Sequence, residues 1–320
     1  MRWSYSTHKL MRRCQRQLVF SYLVASPRAR DPARREAYIL KQLRDLPAWQ
    51  GSLIHRVLAG EFLDGVRARR QIDARVLTAR LSDLAKRQLA FSAARRYRLP
   101  GVTKASAGEE YCALFEHEHG LEVPSEVLNI TVDTAARCFD YLAGQTEFLD
   151  NLYAGSDYTA EVPLSFALDG VIIRAVPDLV FVRHKGQPAL VDWKTGNSET
   201  ADYSRQMSIN ALTVMRSERW LNTQPDALVV YEVDLQKRRV QQHPVSGARL
   251  DEAEDFIYQS ILQLRALTDH RTGRSVDLDE FDVASRPQTC AHCPFSGLCV
   301  AQLRDAERLE EVLVVQGRLL

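Results

Sequence analysis

The chain has 320 residues, 45% hydrophobic and 26% charged, with a formal net charge of +1. That length can bury a core in one elaborated domain or two, and no stretch reaches the ~18 consecutive apolar residues that would make a membrane-spanning helix. The near-neutral total hides a polarity: residues 1–100 hold 22 Lys+Arg against 7 Asp+Glu, and the remainder 20 against 34. A phosphate-binding surface next to a carboxylate metal site would give these numbers, and so would a set of solvated helix faces.

At the start, Arg12, Arg13 and Arg16 precede the apolar stretch Leu18–Ser26, a faint imitation of a secretory signal. The stretch is short, carries Ser21 and Tyr22, and runs straight into Arg28 and Arg30, so it reads as a mature amphipathic segment. Three of the six cysteines crowd near the C-terminus, which suggests metal binding in an intracellular protein more than a secreted disulfide frame. The expected compartment is the cytoplasm.

From Glu61 to about Leu149 the pattern is mostly helical, with Leu63, Val66, Ile72, Val76, Leu77, Leu81, Leu84 and Leu89 at roughly helical intervals. Pro100-Gly101 breaks the run, and a second helical stretch follows from about Ser125. The texture changes at Tyr158. Thr159–Leu168 predicts a strand, Asp169-Gly170 a tight hairpin turn, and Val171–Val182 a β-rich segment in which Pro177 marks a bulge or an edge. The turn His184–Gln187 leads into a strand over Ala189–Lys194. A helix is predicted from about Thr200 to Trp220, a strand over Ala227–Asp234, and helices from about Leu250 to Leu267 and from Ala301 to about Leu313.

The chemistry concentrates in Val176-Pro177-Asp178 and in Leu190–Gly196, which reads Leu-Val-Asp-Trp-Lys-Thr-Gly. Residues two apart on a strand share a face, so Asp192 and Lys194 project side by side, and a hairpin through His184–Gln187 would set Asp178 on the neighbouring strand. Two carboxylates placed so can share a hard cation such as Mg²⁺. Such a cation lowers the pKa of a bound water, and Lys194 can orient that water. A salt-bridged surface pair also accounts for Asp-x-Lys. The apolar flanks of both acids imply burial, however, and a buried charge needs a partner or a metal.

The Pro177-Asp178 … Asp192-Trp193-Lys194 arrangement resembles the PD-(D/E)XK nuclease superfamily, and Val-Asp-Trp-Lys-Thr-Gly resembles its RecB-like branch. That branch carries Gly-x-x-x-His on an upstream helix, matched by Gly51-Ser-Leu-Ile-His55. The resemblance implies that His55 is a further metal ligand beside Asp178 and Asp192; taken alone, it reads as a partly buried helix histidine. It also implies that Gln206, on the helix after the Lys strand, supports Lys194 or the nearby backbone. Where the family usually has Tyr four residues later, this chain has Asn210. Glu161 matches an acidic position often seen in such proteins.

Cys290-Ala-His-Cys-Pro-Phe-Ser-Gly-Leu-Cys299 sets three thiols at x₂ and x₅ spacing, as loops that bind metal do. Cys14, His292 or a distant cysteine could supply a fourth ligand. Together with the nuclease motifs, the segment around Cys14 resembles Fe–S RecB-like nucleases, the AddB-type subunits and CRISPR-associated exonucleases. The resemblance implies a structural [4Fe–4S] cluster on Cys14, Cys290, Cys293 and Cys299, although Gln15 stands where the family has Pro. A zinc site is the competing reading. Cys112 and Cys138 read as small core residues.

No Lys follows a Gly, so there is no Gly-Lys-Ser/Thr phosphate loop, and no Gly-x-Ser-x-Gly elbow is present. Trp193, Tyr97, Tyr203 and Trp220 could stack on bases but read more simply as core or helix-face residues. The predicted fold is an α/β, restriction-endonuclease-like core, a small mixed sheet flanked by helices. Residues 1–60 form an N-terminal segment, 61–155 a helical insertion, 156–268 the nuclease core and 269–320 a Cys-rich closing element. The resemblance implies an Mg²⁺- or Mn²⁺-dependent DNA nuclease, most simply an exonuclease, with DNA and a helicase or other DNA-processing subunit as partners. The alternative is a non-catalytic DNA-binding or scaffold subunit with zinc in place of the cluster.

Overall fold

The computed structural model describes residues 2–183, 186–196, 203–221, 223–273, 276–286 and 288–300. The chain divides into two compact units. The first takes Met1–Ser4, Pro47–Leu89 and Val123–Tyr258, and the second Tyr5–Leu46, Ala90–Glu122 and Gln259–Leu320. No helix among the described residues is long and apolar enough to cross a membrane.

The first unit holds all the described strands: β1 (Arg2–Trp3), β2 (Ser156–Ala160), β3 (Leu164–Leu168), β4 (Val171–Ala175), β5 (Leu179–Val182), β6 (Pro188–Lys194), β7 (Val229–Asp234) and β8 (Arg239–His243). They form a three-stranded sheet in the order β1-β4-β3 and a five-stranded sheet in the order β2-β5-β6-β7-β8. In the larger sheet β6 and β7 run parallel, joined through the Ser204–Met215 helix, and the other pairs are antiparallel. This mixed α/β arrangement is consistent with the expected restriction-endonuclease-like core. All seven residues of β6 are buried, as befits an apolar run at the centre of a sheet covered on both faces. Trp193 is held edge-on by Phe62 and Phe148, each with its ring centroid 5.9 Å away.

The Asp169-Gly170 turn forms as predicted, with both residues at positive φ (47° and 71°), as a two-residue hairpin requires. The flanking strands differ from expectation. The Thr159–Leu168 strand is two strands in two sheets, broken at Glu161–Pro163, and Val171–Val182 is broken in the same way at Val176–Asp178. Each break contains a proline, which has no N–H to continue a ladder. Pro177 therefore marks a crossing between sheets and not a bulge. Two strands went unpredicted. β1 has only two residues, though it buries Trp3 to 1% exposure, and β8 is mostly polar.

The helical stretch after Glu61 resolves into Leu63–Arg67, Ala74–Ala93, Lys104–Ala107, Phe115–His119, Val127–Ala143 and Thr146–Tyr153, with breaks that include Pro100-Gly101. The expected helix beyond Ala301 lies outside the described residues, as do His184 and Lys185 of the β5–β6 turn.

In the second unit Val19, Phe20, Ala37, Leu40, Leu278, Phe281 and Phe295 form one buried cluster, against which Cys293 and Cys299 pack. Phe20 stacks on Phe295 at 5.2 Å. Residues around Cys14 are tied to the segment before the late cysteines: the Arg16 N–H donates to the Asp282 carbonyl (3.4 Å), and the side chains of Gln15 and Asp282 pair at 2.9 Å.

Candidate metal centre

Antiparallel pairing of β5 with β6 sets Leu179 opposite Val191, so Asp178, immediately before β5, falls level with Asp192. Asp178 is fixed at both oxygens. Oδ1 lies 3.0 Å from His55 Nδ1, and Oδ2 accepts the Trp193 N–H at 2.7 Å. Glu161 reaches the same place from the other inter-sheet crossing. Its N–H donates to the Asp178 carbonyl (3.2 Å), and its carboxylate stands 4.0 Å from His55 Nδ1. Glu161 adopts φ 56°, a left-handed conformation that costs a non-glycine residue about 1 kcal/mol. Ligand atoms of His55, Glu161 and Asp178 all lie within 4.8 Å of one another, the one such group of three His, Cys, Asp or Glu among the described residues.

Asp192 stands beside this group, engaged by the chain's own donors. Lys194 Nζ is 2.6 Å from Oδ2, while Gln206 Nε2 (3.1 Å) and Asn210 Nδ2 (3.4 Å) donate to Oδ1. Gln206, expected to support Lys194 or the nearby backbone, thus reaches Asp192, the residue that Lys194 pairs with. Asn210 shares that task. The Lys194 ammonium also lies 4.2 Å from the centre of the Tyr203 ring. Gly51 explains how the helix carrying His55 comes so close. A Cβ there would stand 2.8 Å from Thr195 Oγ1, directly after Lys194.

Electrostatics follow from crowding and burial. Burial pushes the Asp192 carboxyl up from 3.8 to about 6, with Asp178 adding to the rise and Lys194 and His55 opposing it. Burial alone would depress His55. The hydrogen bond and charge of Asp178, backed by Glu161 and Asp192, outweigh it and hold the imidazole above its ordinary 6.5.

Two more acids flank the pair. In the parallel register Glu232 lies beside Asp192 and Asp234 beside Lys194. Glu232 is 2% exposed and bonded to His243 (2.8 Å) and Arg239 (3.1 Å). Asp234 is 1% exposed; its Oδ1 accepts the Lys237 N–H (2.8 Å), while Oδ2 accepts no hydrogen bond among the described residues and lies 3.8 Å from the Lys237 ammonium. Sequence reading passed over both. The signal was two acids two apart inside the apolar run Ala227–Asp234.

All six cysteines are free. Cys112 and Cys138 are buried, and burial pushes them up to about 12 and about 11. Cys14, Cys290, Cys293 and Cys299 come together in the second unit, close enough to act on one another's ionisation. Burial pushes Cys293 up to about 12, and Cys14, Cys299 and Cys290 add to it. Cys290 and Cys299 are also raised, first by burial and then by neighbouring thiols, although Arg16 opposes the rise at Cys299. His292 lies 6.2 Å from the Phe115 ring. No three of these thiols, among the described residues, close to within 4.8 Å. A tetrahedral zinc site with Zn–S near 2.3 Å would bring its sulfurs to within about 4 Å of one another.

A family model described as the PD-(D/E)XK nuclease superfamily matches residues 2–300. No curated protein matches the chain. Among solved structures, one titled "Crystal structure of SSO0001" is 12% identical, covering 68% of this chain and 82% of its own, with a TM-score of 0.28.

Proposed function

The chain belongs to the PD-(D/E)XK nuclease superfamily, and from that premise we propose that it is a divalent-metal-dependent deoxyribonuclease of the RecB-like branch, acting as an exonuclease. The observation that carries the reading is the convergence of His55, Glu161 and Asp178 within 4.8 Å, beside the buried Asp192–Lys194 pair. Superfamily members use divalent metals, and two carboxylates with one imidazole form a donor set suited to Mg²⁺ or Mn²⁺. The crowding of like charges fits the same idea, since Asp192 is raised by burial and by Asp178, a cost that a cation would offset.

In this reading His55, Asp178 and Asp192 hold the metal, with Glu161 as a further oxygen ligand and the Trp193 carbonyl available. Held by these residues, a divalent cation would lower the pKa of a bound water and offset charge developing on the scissile phosphate. The chain's own groups do the rest. The Trp193 N–H fixes one oxygen of Asp178 and so aims the other at the shared site. Gln206 and Asn210 hold Asp192 Oδ1, which fixes the plane of its carboxylate. Lys194, whose ammonium is shared between Asp192 and the Tyr203 ring, positions the attacking water and stabilises the phosphorane-like transition state. The Arg-rich first hundred residues supply phosphate contacts in DNA.

Cys14, Cys290, Cys293 and Cys299 would hold a structural [4Fe–4S] cluster, closing the second unit without taking part in cutting. The x₂ and x₅ spacing of the late cysteines, found together with the nuclease motifs, supports the cluster over zinc. A helicase or another DNA-processing subunit is the expected partner. Labelled linear duplex and single-stranded DNA, incubated with Mg²⁺ or Mn²⁺, should be degraded from their ends, circular DNA should stay intact, and EDTA should abolish the cutting. A chain that cuts none of these substrates with either metal would overturn the reading.

A further inference from the structure

Within the second unit one charge has no adequate counter-charge. Arg16 is 2% exposed, and a guanidinium keeps its proton at any relevant pH. Its Nε donates to the Phe281 carbonyl at 3.0 Å, and its Nη2 to Asp279 Oδ1 at 3.3 Å. Asp279 is 39% exposed, so part of its charge is spent on water. Nη1 is buried and, among the described residues, donates to nothing. A cation buried this deeply requires a matched anion.

The surroundings indicate where that anion belongs. Arg16 is two residues from Cys14, on the helix that Cys14 caps, and its N–H is bonded to the Asp282 carbonyl, in the segment that leads to the late cysteines. Cys293 and Cys299 pack against the buried cluster that holds Val19 and Phe20, three and four residues after Arg16.

We infer that Arg16 is the charge partner of the filled four-cysteine group, donating to its sulfurs and setting its reduction potential and its retention. The inference rests on the proposed [4Fe–4S] occupancy. Four thiolates around such a cluster are net anionic, and one-electron reduction makes them more so. A buried cation donating to cluster sulfur therefore favours the reduced state and raises the midpoint. Asp279 works against it by drawing on the same guanidinium. Arg16 is a positioning and tuning residue here, and no redox role in DNA cleavage is implied.

The test uses the full chain, reconstituted anaerobically with iron and sulfide, and titrated with dithionite as electron donor under visible absorption and electron paramagnetic resonance. Arg16→Gln should lower the midpoint and lose iron several-fold faster in air. Asp279→Asn should move the midpoint the other way, because it frees Arg16 charge for the cluster. Arg16→Lys, which keeps the charge, should fall between wild type and Arg16→Gln. If Arg16→Gln fails to fold, the Asp279→Asn and Arg16→Lys midpoints decide. Unmoved midpoints on a brown wild-type protein, or Asp279→Asn shifting in the same direction as Arg16→Gln, would overturn the inference alone. A wild-type chain that stays colourless and takes up zinc instead overturns the cluster reading and this inference together.

Discussion

Gly51→Ala tests the packing that brings His55 to the acids. The new methyl would lie 2.8 Å from Thr195 Oγ1, and its next neighbour, Thr195 Cβ, is 3.8 Å away, so the strain falls on one side chain. Two effects oppose each other. Alanine inside the Leu46–Val57 helix gains about 1 kcal/mol over glycine. Forcing a methyl into an occupied site costs roughly 1–3 kcal/mol. Gly51→Ala alone should therefore destabilise the chain by about 0–2 kcal/mol. In a Thr195→Ala background, where Oγ1 is gone, the same change should stabilise by up to about 1 kcal/mol. The double-mutant cycle thus predicts a coupling of about 1–3 kcal/mol, well above the ~0.5 kcal/mol scatter of independent sites. Urea unfolding of the four chelator-treated proteins measures it. Coupling within that scatter would show that the glycine is not needed for contact with the Lys194 strand, and the account of the Gly-x-x-x-His motif would fall.

Three further predictions concern the acids. Without metal, the folded chain holds the Asp192 proton more tightly than the unfolded one, so this group's contribution is full below pH 3.8 and is lost as pH rises to about 6. That shift of roughly two pH units corresponds to about 3 kcal/mol, so Asp192→Asn, which cannot titrate there, should gain on wild type by that order between pH 4 and pH 7 in EDTA; parallel urea midpoints at the two pH values would refute the burial argument. Glu161→Gln should weaken Mn²⁺ binding about tenfold, about 1.4 kcal/mol, by calorimetry. Affinity should also fall below pH 6, as protons on Asp192 and His55 compete with the cation. Unchanged affinity in Glu161→Gln would remove that residue from the metal centre.

The parts of the site that follow strand periodicity were legible in the sequence. Asp192 and Lys194 are two apart in an apolar run, and a short turn was enough to bring Asp178 level with them. What depends on long-range placement was not. Glu161 was matched to the family's acidic position by resemblance, but its place in the predicted Thr159–Leu168 strand gave no sign of how it reaches the other acids. Only the fold shows that Pro163 ends one sheet and delivers the chain to another, leaving Glu161 in a left-handed turn beside Asp178. Asn210 stood out as a departure from a family pattern, yet its reach to Asp192 could not be read from that departure. β1 escaped because a two-residue strand has no period, and β8 because only pairing with β7 makes Arg239–His243 a strand. Arg16 was one arginine among many, and its burial is a property of the fold.

Cleavage of a labelled linear DNA in Mg²⁺ or Mn²⁺ by wild type and by Lys194→Ala, each paired with a DNA-binding isotherm, tests the central claim most directly. Removing an ammonium that acts at the reacting phosphate should cost on the order of 10²-fold or more in rate while leaving binding nearly intact. A Lys194→Ala chain that cuts at the wild-type rate would contradict the proposed site.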